Sequence, residues 1–147
     1  MNIRETVSTD IPEWARMRDL LWPGNRDDQE PEIESYFEGT STDIVQAFVI
    51  EDETQKCAGF IELNIRNFAE GSRQPEVPYV EAWYIDEVHR GKGYGTKLMA
   101  QAETWALGRG YRELASDAVL DNHRSIAAHG KMGFKEVERV VCFLKQL

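Results

Sequence analysis

Val88 to Thr96 reads V-H-R-G-K-G-Y-G-T, and this run carries the clearest chemistry in the chain. Gly91, Gly93 and Gly95 alternate with Lys92 and Tyr94, directly after Arg90. Glycines let a backbone turn sharply and bring its N–H groups close to a ligand. A helical stretch follows from Thr96 to Leu107, and a helix N-terminus adds free N–H groups and a positive dipole end. The combination predicts a cradle for a diphosphate. The spacing is neither G-x-x-x-x-G-K-[ST] nor G-x-G-x-x-G, which disfavours a P-loop and a dinucleotide fingerprint.

The second group is acidic. Glu81 interrupts an otherwise apolar run from Tyr79 to Ile85, and a carboxylate is rarely buried without a partner. Asp117 falls at the end of a predicted strand that should run parallel to that one, which is the usual ligand edge of an open α/β sheet. Glu138 falls in the last predicted strand. Carboxylates converging on one cleft repel one another unless cations compensate, so a polycationic ligand fits them. Structural ion pairs with Arg66, Arg112 or Arg139 are the alternative, weaker for Glu81 and Asp117 than for Glu138. Trp22, beside Pro23-Gly24 at a helix end, is either a ring exposed for stacking or a core residue.

The elements that position these groups follow from periodicity. Asn2 to Val7 reads as a strand. Thr9 and Asp10 are helix-capping types, and Ile11, Trp14, Met17 and Leu21 recur at helical spacing up to Trp22-Pro23. A short helix from Pro31 to Phe37 ends at Gly39. Gln46–Glu51 and Cys57–Phe68 read as a hairpin about a polar loop, Asp52 to Lys56. Residues 69–78 form a loop with Gly71, Pro75 and Pro78. The strand Tyr79–Ile85 is followed by the helix from Thr96, with Leu98, Met99, Ala102, Trp105 and Ala106 on one face, closed at Gly108-Arg109-Gly110. Strands at Tyr111–Ala118 and Phe134–Leu144 flank a helix from Asn122 to Met132. The order β-α-α-β-β-β-α-β-α-β is a mixed α/β sheet with helices on its faces, and its strand-helix-strand unit should be parallel.

Bulk properties set limits. A chain of 147 residues is one domain, 1–147. A formal net charge of −9 argues against nucleic acid as partner, because phosphate neutralisation needs a basic face. No run approaches a membrane span, and no secretory signal opens the chain, so a cytoplasmic location is expected. Cys57 and Cys142 fall in predicted strands and are expected to be buried free thiols. His89, His123 and His129 lack metal-ligand spacing, and no metal is expected.

The element order, with R-G-K-G-Y-G after the fourth strand and K-M-G-F before the last, resembles the GCN5-related N-acetyltransferases. Arg90, Gly93 and Gly95 match their Q/R-x-x-G-x-G/A pattern, and the resemblance covers nearly the whole chain. It implies a mostly antiparallel sheet with a splayed parallel pair, the fourth and fifth strands, and about four flanking helices. It implies acetyl-CoA as co-substrate, its pyrophosphate on Arg90, Gly91, Lys92, Gly93, Tyr94, Gly95 and Thr96 and its pantetheine arm along Trp83, Tyr84 and Ile85. Asn122 matches a cofactor-contacting asparagine. His129 stands where many relatives place a tyrosine that protonates the departing thiolate. Histidine can do the same, or can simply pack against the cofactor.

A more specific resemblance is to the aminoglycoside 6′-N-acetyltransferases. It is carried jointly by Leu21-Trp22-Pro23-Gly24, Ile65-Arg66, Glu81, Ala115-Ser116-Asp117 and Glu136-Val137-Glu138-Arg139-Val140. It implies a polyamine sugar site of Trp22, Phe68, Glu81, Asp117 and Glu138. It further implies direct acetyl transfer to the 6′-amino group of an antibiotic, conferring resistance, with Glu81 as base and no acyl-enzyme. Homodimers in which C-terminal strands reach the partner are common among such relatives, and the apolar Val140 to Leu144 permits one. The rival readings are an acetyltransferase for another amine (a polyamine, an amino-acid analogue or a protein N-terminus) and a non-catalytic acetyl-CoA-binding module.

Overall fold

The structure is a computed structural model and describes residues 1–24 and 26–147. Nine regular elements follow in chain order: β1 (Asn2–Glu5), α1 (Ile11–Leu21), α2 (Arg26–Phe37), β2 (Gln46–Glu51), β3 (Cys57–Arg66), β4 (Val77–Ile85), α3 (Tyr94–Gly108), β5 (Ala115–Ser116) and α4 (His123–Lys131). The strands form one sheet in sequence order, antiparallel from β1 to β4 and parallel between β4 and β5.

Side chains alternate across a strand, so each strand feeds two cores. Phe48, Ile50, Ile61, Leu63 and Val80 pack with Leu98, Met99 and Ala102 of α3. Ala47, Val49, Phe60, Ala82 and Tyr84 pack on the opposite face with Trp14 and Met17 of α1 and Ile33 of α2. The helix face expected from Leu98, Met99, Ala102 and Ala106 is buried, with Trp105 partly buried against the same core. At the α1–α2 contact, the Trp14 ring meets Tyr36 and Phe37 edge-on at 5.8 and 6.1 Å.

Val80 and Ala82 are two residues apart yet face opposite cores. The register explains this: Glu62 pairs with Ala82 and Leu63 with Val80, so Glu81 is one extra residue on β4. Such a bulge bends the strand and re-aims a side chain. The polar residue that breaks the apolar run therefore sits at the one point where β4 changes phase.

Several expectations are corrected. The helix expected from Pro31 begins at Arg26, because Pro31 falls inside it, and Gln29 and Ile33 supply its buried side. α3 begins at Tyr94 rather than Thr96. The strand expected at Tyr111–Ala118 shrinks to Ala115–Ser116. The strand expected at Phe134–Leu144 does not form: residues 134–147 have no regular structure, and Phe143 and Leu144 are 92% and 90% exposed. A strand needs a ladder to join, and β5 offers only two residues. Phe134 still packs on the α3 core, and Val137 lies against Gly71. Cys142 is consequently exposed rather than buried, whereas Cys57 is half-buried at the start of β3.

Candidate active site

β5 pairs with β4 only at Tyr79–Ala115 and Val80–Ser116. From Glu81 to Ile85, β4 has no β5 partner among the described residues, so one edge of its backbone faces a notch. A peptide-like chain can satisfy such groups as an added strand would. The side chains bordering the notch divide by face. Trp83 and Ile85 point toward α3, while Tyr84 is buried on the α1 side, so Tyr84 could meet a ligand only through its backbone.

The glycine loop stands at one end of this notch. Gly91 and Gly93 have φ of 74° and 88°, in the left-handed region that favours glycine, and a Cβ on either would meet nothing within 4 Å. The first intrahelical bond after the loop runs from Lys97 N–H to the Gly93 carbonyl. The N–H groups of Tyr94, Gly95 and Thr96 thus have no intrahelical acceptor and stand free for an anion. Gly95 is required for another reason: an added Cβ would come within 3.3 Å of Trp83 Cζ2. That contact lets Trp83 Nε1 donate to the Gly95 carbonyl at 3.2 Å, binding notch to cradle.

The other members of the loop have different jobs. Tyr94 is buried against His89 and belongs to the core. Arg90 Nε donates to the Ile85 carbonyl at 2.9 Å, clamping the loop to the end of β4. Lys92 and Thr96 are exposed. Asn122 caps α4, its Oδ1 accepting from Ser125 N–H at 3.1 Å, which leaves its amide N–H groups as donors.

At the other end, two of the three nominated carboxylates, Glu81 and Asp117, join one group through Arg66 and Tyr79. Glu81, whose side chain is 14% exposed, pairs with Arg66 Nη2, and its Oε2 accepts from Arg66 Nε at 3.3 Å and Asn64 Nδ2 at 3.2 Å. The Arg66 guanidinium lies 3.6 Å over the Tyr79 ring. Tyr79 in turn donates its hydroxyl to Asp117 at 2.6 Å, and burial together with that carboxylate pushes its ionisation far above the ordinary tyrosine range. Glu81, Arg66, Tyr79 and Asp117 therefore form one connected group across β3, β4 and the end of β5. Arg66 is the ion-pair partner of Glu81 that the sequence allowed. Asn64 and Tyr79 were missed, although a polar pair inside Cys57–Arg66 was a signal.

His129 of α4 lies against Ser116 of β5, where the notch begins. Its Nδ1 donates to the Ser125 carbonyl at 2.7 Å, which fixes the tautomer and leaves Nε2 to accept the Ser116 hydroxyl, also at 2.7 Å. Its ring meets Trp83 edge-on at 5.2 Å.

The remaining nominated residues scatter. Trp22 is half-buried against the α1–α2 core, with Arg18 over its ring at 5.0 Å. Phe68 is 64% exposed on the loop after β3. Glu138 lies on the exposed C-terminal segment, which brings it to no described partner. A groove of about 710 Å³ between α1 and α2, lined by Asp19, Asp27, Glu30 and Glu34, holds none of the nominated residues. Among the described residues, no group of three or more His, Cys, Asp or Glu could hold a metal ion, and no helix is long and apolar enough to cross a membrane.

Comparison with known proteins agrees with this geometry. Residues 14–134 match the acetyltransferase (GNAT) family. The chain is 37% identical to an aminoglycoside N(6′)-acetyltransferase type 1 of Klebsiella aerogenes, over 99% of this chain and 96% of that one. It is 34% identical to a protein of the same name from Acinetobacter genomosp. 13, over 100% and 99% of the two chains. Among solved structures, the apo aminoglycoside 6′-N-acetyltransferase AAC(6′)-Ig of Acinetobacter haemolyticus superposes with a TM-score of 0.89 at 30% identity, covering 100% of this chain and 99% of that one. AAC(6′)-Iy, in complex with the bisubstrate analogue CoA-S-monomethyl-acetylneamine, superposes with a TM-score of 0.87 at 28% identity, covering 99% and 98%. A free-edged notch, a glycine cradle and a match spanning residues 14–134 place this chain in the GNAT acetyltransferase family.

Proposed function

We propose that this protein transfers the acetyl group of acetyl-CoA directly to the 6′-amino group of aminoglycoside antibiotics and thereby confers resistance. One observation carries the reading: Glu81 stands on a bulge where β4 loses its β5 partner, and Asp117 is held beside it through Arg66 and Tyr79. A thioester lying in the notch would end next to a carboxylate, and a polyamine would find two.

Acetyl-CoA supplies an acyl thioester when bound. The free N–H groups of Tyr94 to Thr96 take its pyrophosphate, with Gly91, Gly93 and Lys92 giving room and charge. The unpaired backbone from Trp83 to Ile85 holds the pantetheine arm, and one N–H there polarises the thioester carbonyl. Glu81 receives the incoming ammonium in place of one Arg66 contact and accepts its proton, directly or through a water, freeing the amine to attack. Asp117, fixed by Tyr79, orients a second ammonium, and Trp22 and Phe68 offer rings to the sugars. His129 Nε2, an acceptor in this tautomer, takes up the second proton as the new amide nitrogen gives it up and passes it to the CoA sulfur while the C–S bond breaks. A direct transfer fits the cysteines: burial pushes the Cys57 thiol up to about 11, and Cys142 is on the exposed C-terminal segment. The enzyme would act in the cytoplasm, on antibiotic that has entered the cell.

A homodimer belongs to the same proposal. Val140, Val141, Phe143 and Leu144 are exposed on a segment with no ladder of its own, and β5 leaves one edge of the sheet free. Pairing with a second copy would cover both and could carry Glu138 toward a cleft. Sedimentation should give a dimer for the full chain. A monomer at micromolar concentration would remove Glu138 from the sugar site.

The function is tested by following thiol release from acetyl-CoA with kanamycin, its 6′-hydroxyl counterpart, spermidine and a peptide. Kanamycin should turn over far faster than the rest. Faster release with spermidine or peptide would favour an acetyltransferase for another amine. Acetyl-CoA binding with no release in any arm would favour the non-catalytic module.

A further inference from the structure

Arg18 is a polar residue in the middle of an amphipathic helix, and it is only 5% exposed. Burying a guanidinium is costly unless its charge and its N–H groups are met. Here the charge faces carboxylates from two elements, β3 and α2, while the buried Nε–H makes no hydrogen bond among the described residues. Arg18 Nε lies 3.0 Å from Glu62 Oε1 on β3, Nη2 lies 2.7 Å from Glu32 Oε2 on α2, and Nη1 reaches the Gln29 carbonyl of α2 at 3.5 Å. Its plane covers the Trp22 ring just past the end of α1, where Trp22 N–H donates to the Arg18 carbonyl at 2.8 Å.

The far end of this group lies next to the bulge in sequence register. Glu62 pairs with Ala82 across the sheet, one residue from the bulged Glu81. It also accepts from Trp14 Nε1 at 2.8 Å, so its position is fixed from α1 as well. A leucine or methionine would fill the same space at less cost in desolvation. What an apolar side chain cannot do is reach β3, α2 and Trp22 at once with a rigid planar fork.

We propose that Arg18 is a positioning residue for the sugar-binding side of the cleft. It locks Trp22 and the acidic helix α2 in a fixed place relative to the Glu81 bulge, and so sets the affinity for the amine without touching it. The proposal rests on the aminoglycoside reading above for its kinetic consequence, but its structural half stands alone.

Three variants test it: Arg18→Lys, which keeps the charge and loses the fork, Arg18→Met, which keeps the volume, and Glu32→Gln, which releases only the solvent-facing end. Loss of an ordered stacking partner should raise the aminoglycoside KM by roughly five- to tenfold in both Arg18 variants. The KM for acetyl-CoA and kcat should stay within about twofold, because the cradle and Glu81 are built from other residues. Glu32→Gln should shift the aminoglycoside KM the same way by a smaller factor. Trp22 exposure gives an independent readout: acrylamide quenching, compared with each variant carrying Trp22→Phe, should rise in all three.

Equal losses in both KM values and in kcat would show a merely structural residue and overturn the proposal. So would an unchanged aminoglycoside KM in folded Arg18→Lys. Should the Arg18 variants fail to fold, Glu32→Gln decides: unchanged KM and unchanged quenching overturn the idea. If the wild-type enzyme acetylates no aminoglycoside, the functional reading fails by itself, and quenching alone judges the tie on Trp22.

Discussion

Replacing Glu81 by Gln separates the carboxylate's chemical role from its structural one. Three N–H donors converge on Glu81: Nη2 and Nε of Arg66 and Nδ2 of Asn64. Glutamine offers one oxygen and turns an NH₂ group toward the remaining donors. The mismatch at this largely buried position should cost about 1–3 kcal/mol of stability, the usual penalty for a donor left unpaired. Against a typical total of about 5–15 kcal/mol, the variant stays folded. Loss of a general base costs roughly 10²–10⁴ in kcat/KM, or about 3–5 kcal/mol in the barrier. Urea denaturation and thiol-release kinetics, run on the same samples across pH, should therefore show a folded protein with a large kinetic defect. A loss under tenfold with an unchanged pH dependence would refute the role of Glu81 as base.

Three further outcomes follow from the geometry. Gly95→Val puts side-chain carbons against the Trp83 ring and should raise the acetyl-CoA KM at least tenfold while leaving the aminoglycoside KM near wild type, as initial-rate kinetics would show. Tyr79→Phe removes the donor that fixes Asp117 and should raise the aminoglycoside KM severalfold, with little change for acetyl-CoA, in the same assay. Burial pushes Glu62 up to about 7, opposed by Arg18 and by the Trp14 N–H and assisted by the charges of Glu32 and Glu81. The folded protein thus holds a proton that the unfolded chain releases above about 4.5, so this group's contribution to stability is lost as pH rises from about 4.5 to about 7. Urea titrations at pH 5, 6 and 7 should show that decline in the wild type and a flatter profile in Glu62→Gln.

The parts legible in the sequence were those written in local chemistry. Gly91 and Gly93 announced a turn because their φ values require glycine, and the apolar run in Gln46–Glu51 matched its strand end to end. Glu81 stood out because it broke an apolar run. What the sequence hid was contact between distant residues. Nothing local shows that Tyr79 donates to Asp117 or that Arg66 stacks on Tyr79 while holding Glu81. Arg18 and Glu62 were passed over because each lies inside a pattern read as helix or strand, yet a charge at a core position of either was the available clue. The C-terminal segment misled in the opposite sense. Val140 to Leu144 has strand composition, but composition supplies no partner, and β5 ends after two residues. Nor did the sequence show that the Tyr94 ring turns inward on His89 while its backbone stays in the glycine loop.

The central claim is that the notch delivers an acetyl group straight to one amine. The most direct measurement is mass spectrometry with fragmentation of the product formed from kanamycin and acetyl-CoA, together with the intact mass of the enzyme during turnover. A single acetyl group on the 6′ nitrogen, with the enzyme mass unchanged, is the predicted result. Acetylation at another amine, or an acetyl group residing on the protein during turnover, would contradict it.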